Sequence, residues 1–125
     1  MISAKEALLE SLKSVIDYPI VSVYPNINIV PICVILEENN TSIDRFKEYM
    51  ETVYTEYRFI LIDNDIERLN SNINKLDEYL LDLNFSRILY EEYNTIQDCR
   101  GVTIVYSGDL RIKFDEPNII KVYKS

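Results

Sequence analysis

The chain has 125 residues and a mass of 14.7 kDa, enough for one domain around one core and too little for two. Its 47% hydrophobic and 27% charged residues are those of a folded domain, while 13 Lys plus Arg against 21 Asp plus Glu leave a net charge of −8, so no broad nucleic-acid-binding face is expected. The absence of His removes the Ser-His-Asp and Cys-His nucleophile systems and His metal sites, and with only Gly101 and Gly108 no phosphate-cradling loop or dinucleotide fingerprint can be written.

In chain order, Ser3 followed by Glu6 has the form of a capping box, and Leu8, Leu12 and Val15 with Leu9 and Ile16 make one apolar face, which predicts a helix over 4–17 stopped by Pro19. Ile20–Tyr24 and Ile29–Leu36 are β-branched runs separated by Pro25, Asn26 and Asn28, which reads as a hairpin whose second strand is covered on both faces. The polar run 37–42 reads as a loop. Ile43, Phe46, Tyr49 and Met50 then fit a short helix or an extended strand equally well.

Residues 53–62 alternate strongly, with Tyr57, Phe59 and Leu61 on one face of a strand and Arg58, Ile60 and Ile62 on the other. The period then changes: Ile66, Leu69, Ile73, Leu76, Leu80 and Leu83 draw a single apolar stripe along a helix of about five turns that must lie on the sheet. Asp63 and Asp65 stand where carboxylates cap its positive end, Asn84 where a left-handed residue ends it, and Phe85 is expected to fold back onto the last turn. Ile88–Tyr93, Val102–Tyr106, the alternating segment around Leu110, Ile112 and Phe114, and 119–124 after a turn at Pro117 read as further short strands. The fold class is therefore α+β: a single domain over residues 1–125, with a mainly antiparallel sheet of four or more strands carrying one long and one shorter helix. Terminal strands that form sheet edges leave backbone groups unpaired, which makes Arg111, Lys113 and Tyr123 the candidate subunit-interface residues.

No pattern asks for a catalytic residue, a cofactor or a metal. Cys33 lies in the apolar run IVPICVIL as a small buried hydrophobe, Cys99 lies in a polar stretch with no assigned role, and two thiols 66 positions apart cannot supply a four-thiolate zinc site. DNDIE at 63–67 opens like a calcium loop, but Arg68 stands where the sharp-turn glycine belongs and Asn74 where the bidentate glutamate belongs. The other acid pairs, Glu37 with Glu38, Glu91 with Glu92 and Asp115 with Glu116, read as solvated strand ends or turns. Tyr57, Tyr79, Tyr90, Tyr93 and Tyr106 fit packing within strands or the long helix better than base stacking, and the arginines, spread singly, mark no phosphate site. The N-terminus lacks a signal-peptide profile, and no apolar run approaches the ~20 residues of a membrane span, so the chain is expected in the cytosol or in a particle assembled there.

The order of segments carries more than any one residue. YRFILIDND, a long helix ending LLDLNFSRI, and LYEEYNTIQDCRGVTIVYSGDL follow one another over about residues 50–110. This resembles the tail terminator, or tail completion, proteins of long-tailed bacteriophages: Tyr57, Phe59 and Ile62 match the family's strand, Leu83, Phe85 and Arg87 its helix end, and Val105, Tyr106 and Asp109 its last strand. Asn84 replaces the family's usual glycine but serves the same left-handed backbone. The resemblance implies a structural virion protein that forms a homo-oligomeric, six-fold ring on the tail tube, stops tube growth and joins the tail to the head connector or stopper protein. The expected location is the head-tail junction, with no membrane and no sequence-specific nucleic acid, although DNA passes through the lumen. The rival class is an acidic monomeric binding module, either a DNA-mimic inhibitor or an immunity-type protein; an enzyme ranks third.

Overall fold

A computed structural model describes residues 4–22, 30–46, 50–95, 98–115 and 119–123, with side chains described over 6–22, 30–37, 54–95 and 98–109. The elements are α1 (Ala4–Leu12), β1 (Ile20–Val21), β2 (Ile32–Phe46), β3 (Met50–Asp63), α2 (Ile66–Asp82), β4 (Ser86–Asn94), β5 (Arg100–Asp115) and β6 (Ile119–Tyr123). They form one mostly antiparallel sheet in the order β1-β2-β3-β5-β4, with β6 also on β5, and two helices, an α+β fold. β3 lies along β5 from Met50↔Lys113 to Asp63↔Arg100. The opposite side of β5 is therefore shared: β4 takes 100–107 and β6 takes 111–115.

Both helices cover the same face of the sheet. Leu69, Ile73, Leu76, Leu80 and Leu83 of the stripe are buried on Cys33, Ile35, Tyr57, Phe59, Leu61, Val102, Ile104 and Tyr106, joined by Leu8, Leu12 and Ile16. Phe59 and Tyr106 meet edge to face, with ring centroids 5.6 Å apart. Ile66 departs from the stripe: in the first turn it is 45% exposed, ahead of the point where α2 reaches the sheet. Ile32, Val34, Ile60 and Val105, on the other face, are buried as well, so the start of β2 is covered on both sides. Among the described residues no helix is long and apolar enough to cross a membrane.

The ends of α2 follow from local chemistry. The Asp65 carboxylate accepts from the backbone N–H groups of Glu67 and Arg68, at 3.1 and 3.2 Å. At the other end Asn84 sits at φ 66°, its N–H donates to the Leu81 carbonyl, and the Phe85 N–H donates to the Leu80 carbonyl, each at 3.0 Å. These two bonds are a Schellman closure, and Phe85 is buried by it.

Four sequence expectations need correction. α1 ends at Leu12, not 17: the Ser11 hydroxyl donates to the Ala7 and Leu8 carbonyls and Ser14 to that of Ser11, competing for groups the helix uses, and a turn carries Ile16 into the core. β1 is two residues long and pairs with β2 in parallel, Ile20↔Cys33 and Val21↔Val34, not antiparallel as the predicted hairpin requires. The polar 37–42 run belongs to β2, paired to β3 with register shifts at Glu37/Asn39 and Ser42/Asp44, because a ladder partner supplies what an unalternating polar sequence does not advertise. Finally, 102–106 and 110–114 are one strand of 16 residues. Gly108 lies inside it because Phe85 crosses there: an added Cβ would stand 2.9 Å from Phe85 Cγ. The proposed capping Ser3 and the turns at Pro25 and Pro117 lie outside the described residues.

Candidate assembly edges and the Asp63 clasp

The sheet has two unlike lateral edges. Along one, β1 covers β2 only at Cys33 and Val34, and among the described residues no strand pairs with the outer side of β2 beyond that level. Along the other, β4 and β6 follow one another on β5, again with no strand outside them among the described residues. β3 continues for residues 50–54 past buried Thr55, about 16 Å at roughly 3.3 Å per residue, level with the part of β5 that carries β6, where α1 approaches the sheet. Arg111 and Lys113, expected on a sheet edge, lie instead on β5, which is paired there on both sides, with β3 and with β6; of the three predicted interface residues Tyr123 alone, opposite Arg111, is on an outer strand.

β4 is exposed along most of its length, including Ile88 at 53% and Tyr90 and Tyr93 at 39%. Tyr93 lies over Gly101, and the Thr103 hydroxyl donates to its phenol oxygen at 3.3 Å. Tyr90 donates to Glu92 at 2.8 Å, while Arg87 stacks on the Tyr90 ring, 5.1 Å from its centroid, and reaches Asp77 at 3.5 Å. Asp77 also accepts from the Tyr106 hydroxyl at 2.7 Å; burial and this acceptor push the Tyr106 phenol far above its usual range. The helix-end Arg87 and the last-strand Tyr106, far apart in sequence, thus meet around one carboxylate. The sequence gives no sign of Asp77, because one acid on the outer side of a helix looks like any other.

A second polar cluster sits at the start of α2. The Asp63 carboxylate is buried, and it accepts from Arg68 Nε and Nη2 at 2.7 and 2.6 Å, Tyr18 Oη at 2.5 Å and the Asp65 N–H at 3.0 Å. Burial raises its pKa, but the guanidinium, the phenol and the amide outweigh that and hold it at about 2. Of the two acids predicted as caps, Asp65 alone caps; Asp63 clasps Tyr18 to α2. Arg68, the residue that breaks the calcium pattern, is the cation that neutralises Asp63. Among the described residues no group of three or more carboxylates and thiols is placed to hold a metal.

A shallow groove of about 600 Å³ beside α2 is lined by Val15, Lys75, Glu78, Tyr79, Leu81 and Asp82. Lys75 is already tied to Asp17 at 3.0 Å. Cys33 is buried, which pushes its thiol up to about 12, and Cys99 is buried too.

No protein-family model matches the sequence, and no curated protein is significantly similar to it. The functional reading therefore rests on the edges themselves and on the motif residues.

Proposed function

We propose that this protein is a structural component of a long-tailed bacteriophage, a tail terminator or tail completion protein that forms a ring on the tail tube and joins it to the head connector. The observation that supports it best is the pair of unlike sheet edges. β2 runs in the same direction as β5, and β4 and β6 run in the opposite one. Copies arranged around an axis, all pointing the same way, would bring the two edges together antiparallel, the heterologous contact a closed ring requires. The motif residues agree with this reading in their packing: Leu83 and Phe85 close α2 onto the sheet, and Arg87 and Tyr106 share Asp77.

The test is native mass spectrometry and negative-stain microscopy of the purified protein at high concentration, alone and with the phage's tail-tube protein. Closed rings, or rings seated on tube ends, are expected; a particle that remains a monomer or dimer in both conditions overturns the proposal. Charge reversal at Arg111 and Lys113 together is expected to impair assembly while leaving the melting temperature near that of the wild type. Exposed Glu91 and Glu92, with the net charge of −8, favour the second reading, an acidic monomeric module that fills a basic site, and the persistent monomer is the result that would select it.

A further inference from the structure

We propose that the short segment from Asp17 to Val21 is an edge guard: it closes the apolar start of β2 to strands of other chains, and α2 carries polar side chains that keep it shut. The guard is independent of the ring reading, and it leaves a second copy only the part of this edge beyond Val34.

The composition of β2 makes such a guard necessary. Ile32, Cys33, Val34 and Ile35 form an unbroken apolar run, and a bare edge of that composition is a template for pairing with any exposed strand. β1 lies on it in parallel, Ile20↔Cys33 and Val21↔Val34, and the Cys33 N–H donates to the Pro19 carbonyl at 2.9 Å. After Leu36 the strand turns polar over 37–42, and its pairing with β3 is interrupted by two register shifts, which bars indiscriminate pairing without a cover. Cover and apolar composition thus end within two residues of each other.

Two residues of ladder do not offset the entropy of fixing a segment. The residues just before β1 supply the rest. The Asp17 N–H donates to Asn72 Oδ1 at 2.8 Å, the Asp17 carboxylate accepts from Lys75 Nζ at 3.0 Å, and Tyr18 donates to Asp63, which Arg68 grips from α2. Asn72 is the telling residue. It sits beside Leu69, Ile73 and Leu76 on the buried side of α2 and is 1% exposed, a place where an apolar side chain would need no partner. Its amide is used at both ends, Oδ1 by Asp17 and Nδ2 by the Arg68 carbonyl at 2.9 Å. α2 needs no amide there to form; the group that Asn72 holds outside its own helix is the backbone of the guard.

The experiment opens and relocks the guard in the full chain. Asn72→Ala with Lys75→Ala removes two fastenings, and Tyr18→Phe, a milder variant, removes another by itself. Amide hydrogen exchange reads the guard at Cys33 and the fold at Leu61 of β3, while pelleting at a concentration where the wild type stays soluble reads indiscriminate association. In the double variant Cys33 exchange is expected to quicken at least about tenfold, with Leu61 within about threefold of wild type, and aggregate to form at least about tenfold faster. Where the double variant loses Leu61 protection as well, Tyr18→Phe carries the same test, with changes of at least about threefold expected. Adding Ile20→Cys sets a thiol opposite Cys33 on the helix-covered side, so oxidation ties β1 to β2. The oxidised form is expected to return both readouts to within about threefold of wild type, and reduction to release them again. Unchanged Cys33 exchange, Cys33 exchange that quickens without faster association, or association that the oxidised lock does not suppress each overturns the guard and leaves the ring reading standing.

Discussion

Asp63 keeps a negative charge where its side chain has no contact with water, and the four donors around it make that tolerable. Its folded pKa of about 2 lies below the roughly 3.9 of an unfolded Asp, so its contribution to stability is complete above about pH 4 and is lost as pH falls through about 2. Asp63→Asn is expected to cost about 2–3 kcal/mol at pH 7 in urea unfolding. The gap from wild type should narrow between about pH 4 and about pH 2, and a gap independent of pH would show that the carboxylate's charge is not what matters. Two buried tyrosines offer a matched comparison. The Tyr106 hydroxyl donates to Asp77, whereas those of Tyr57 and Thr55 are buried close to one another and, among the described residues, meet no partner at full hydrogen-bond geometry. Tyr106→Phe is therefore expected to cost about 1–2 kcal/mol, and Tyr57→Phe to be neutral or stabilising by up to about 1 kcal/mol, both read from the same unfolding curves. The alternation that put both rings in the core was plain in the sequence. The fates of their hydroxyls were not, because Asp77 reaches Tyr106 across 29 positions, just as Tyr18 reaches Asp63 across 45.

At the scale of elements, α2 was legible because its stop signals are local: Asp65, Asn84 and Phe85 each act within a few residues of the helix end. Asn84 tests that closure. With φ at 66°, Asn84→Gly should leave stability unchanged or raise it by roughly 0.5 kcal/mol, while Asn84→Val should cost about 1–2 kcal/mol in thermal unfolding. Equal effects of the two would mean that the left-handed turn is not limiting. The strands are less legible, and they depart from expectation in one direction. β2 and β5 both exceed their predicted lengths because Asn39–Thr41 and Gly108 look like turn residues, yet each position is held by a ladder partner: Glu56, Thr55 and Tyr54 for the first and Thr55 for the second. Pairing between segments far apart in sequence overrides local composition there. The parallel start at β1 escaped for a related reason, since Pro25, Asn26 and Asn28 signal a reversal without fixing how far the chain travels before it pairs again.

At the scale of the whole molecule, the two functional readings make opposite demands on the net charge of −8. Copies that join into a ring bring like charges together, and the repulsion summed over two whole surfaces opposes every contact, whatever a single ion pair within it contributes. Salt shortens the reach of that repulsion from about 30 Å at 0.01 M to about 10 Å at 0.1 M, so self-association should strengthen over that range. An acidic module filling a cationic site behaves in the opposite way: its attraction is screened, and its binding weakens as salt rises. Sedimentation of the protein across these salt concentrations, alone and with tail-tube protein, is therefore expected to show growing assembly. Assembly that falls steadily with salt would mean that attraction between opposite charges outweighs the overall repulsion, and would shift the weight from the ring toward an acidic protein that engages a basic partner.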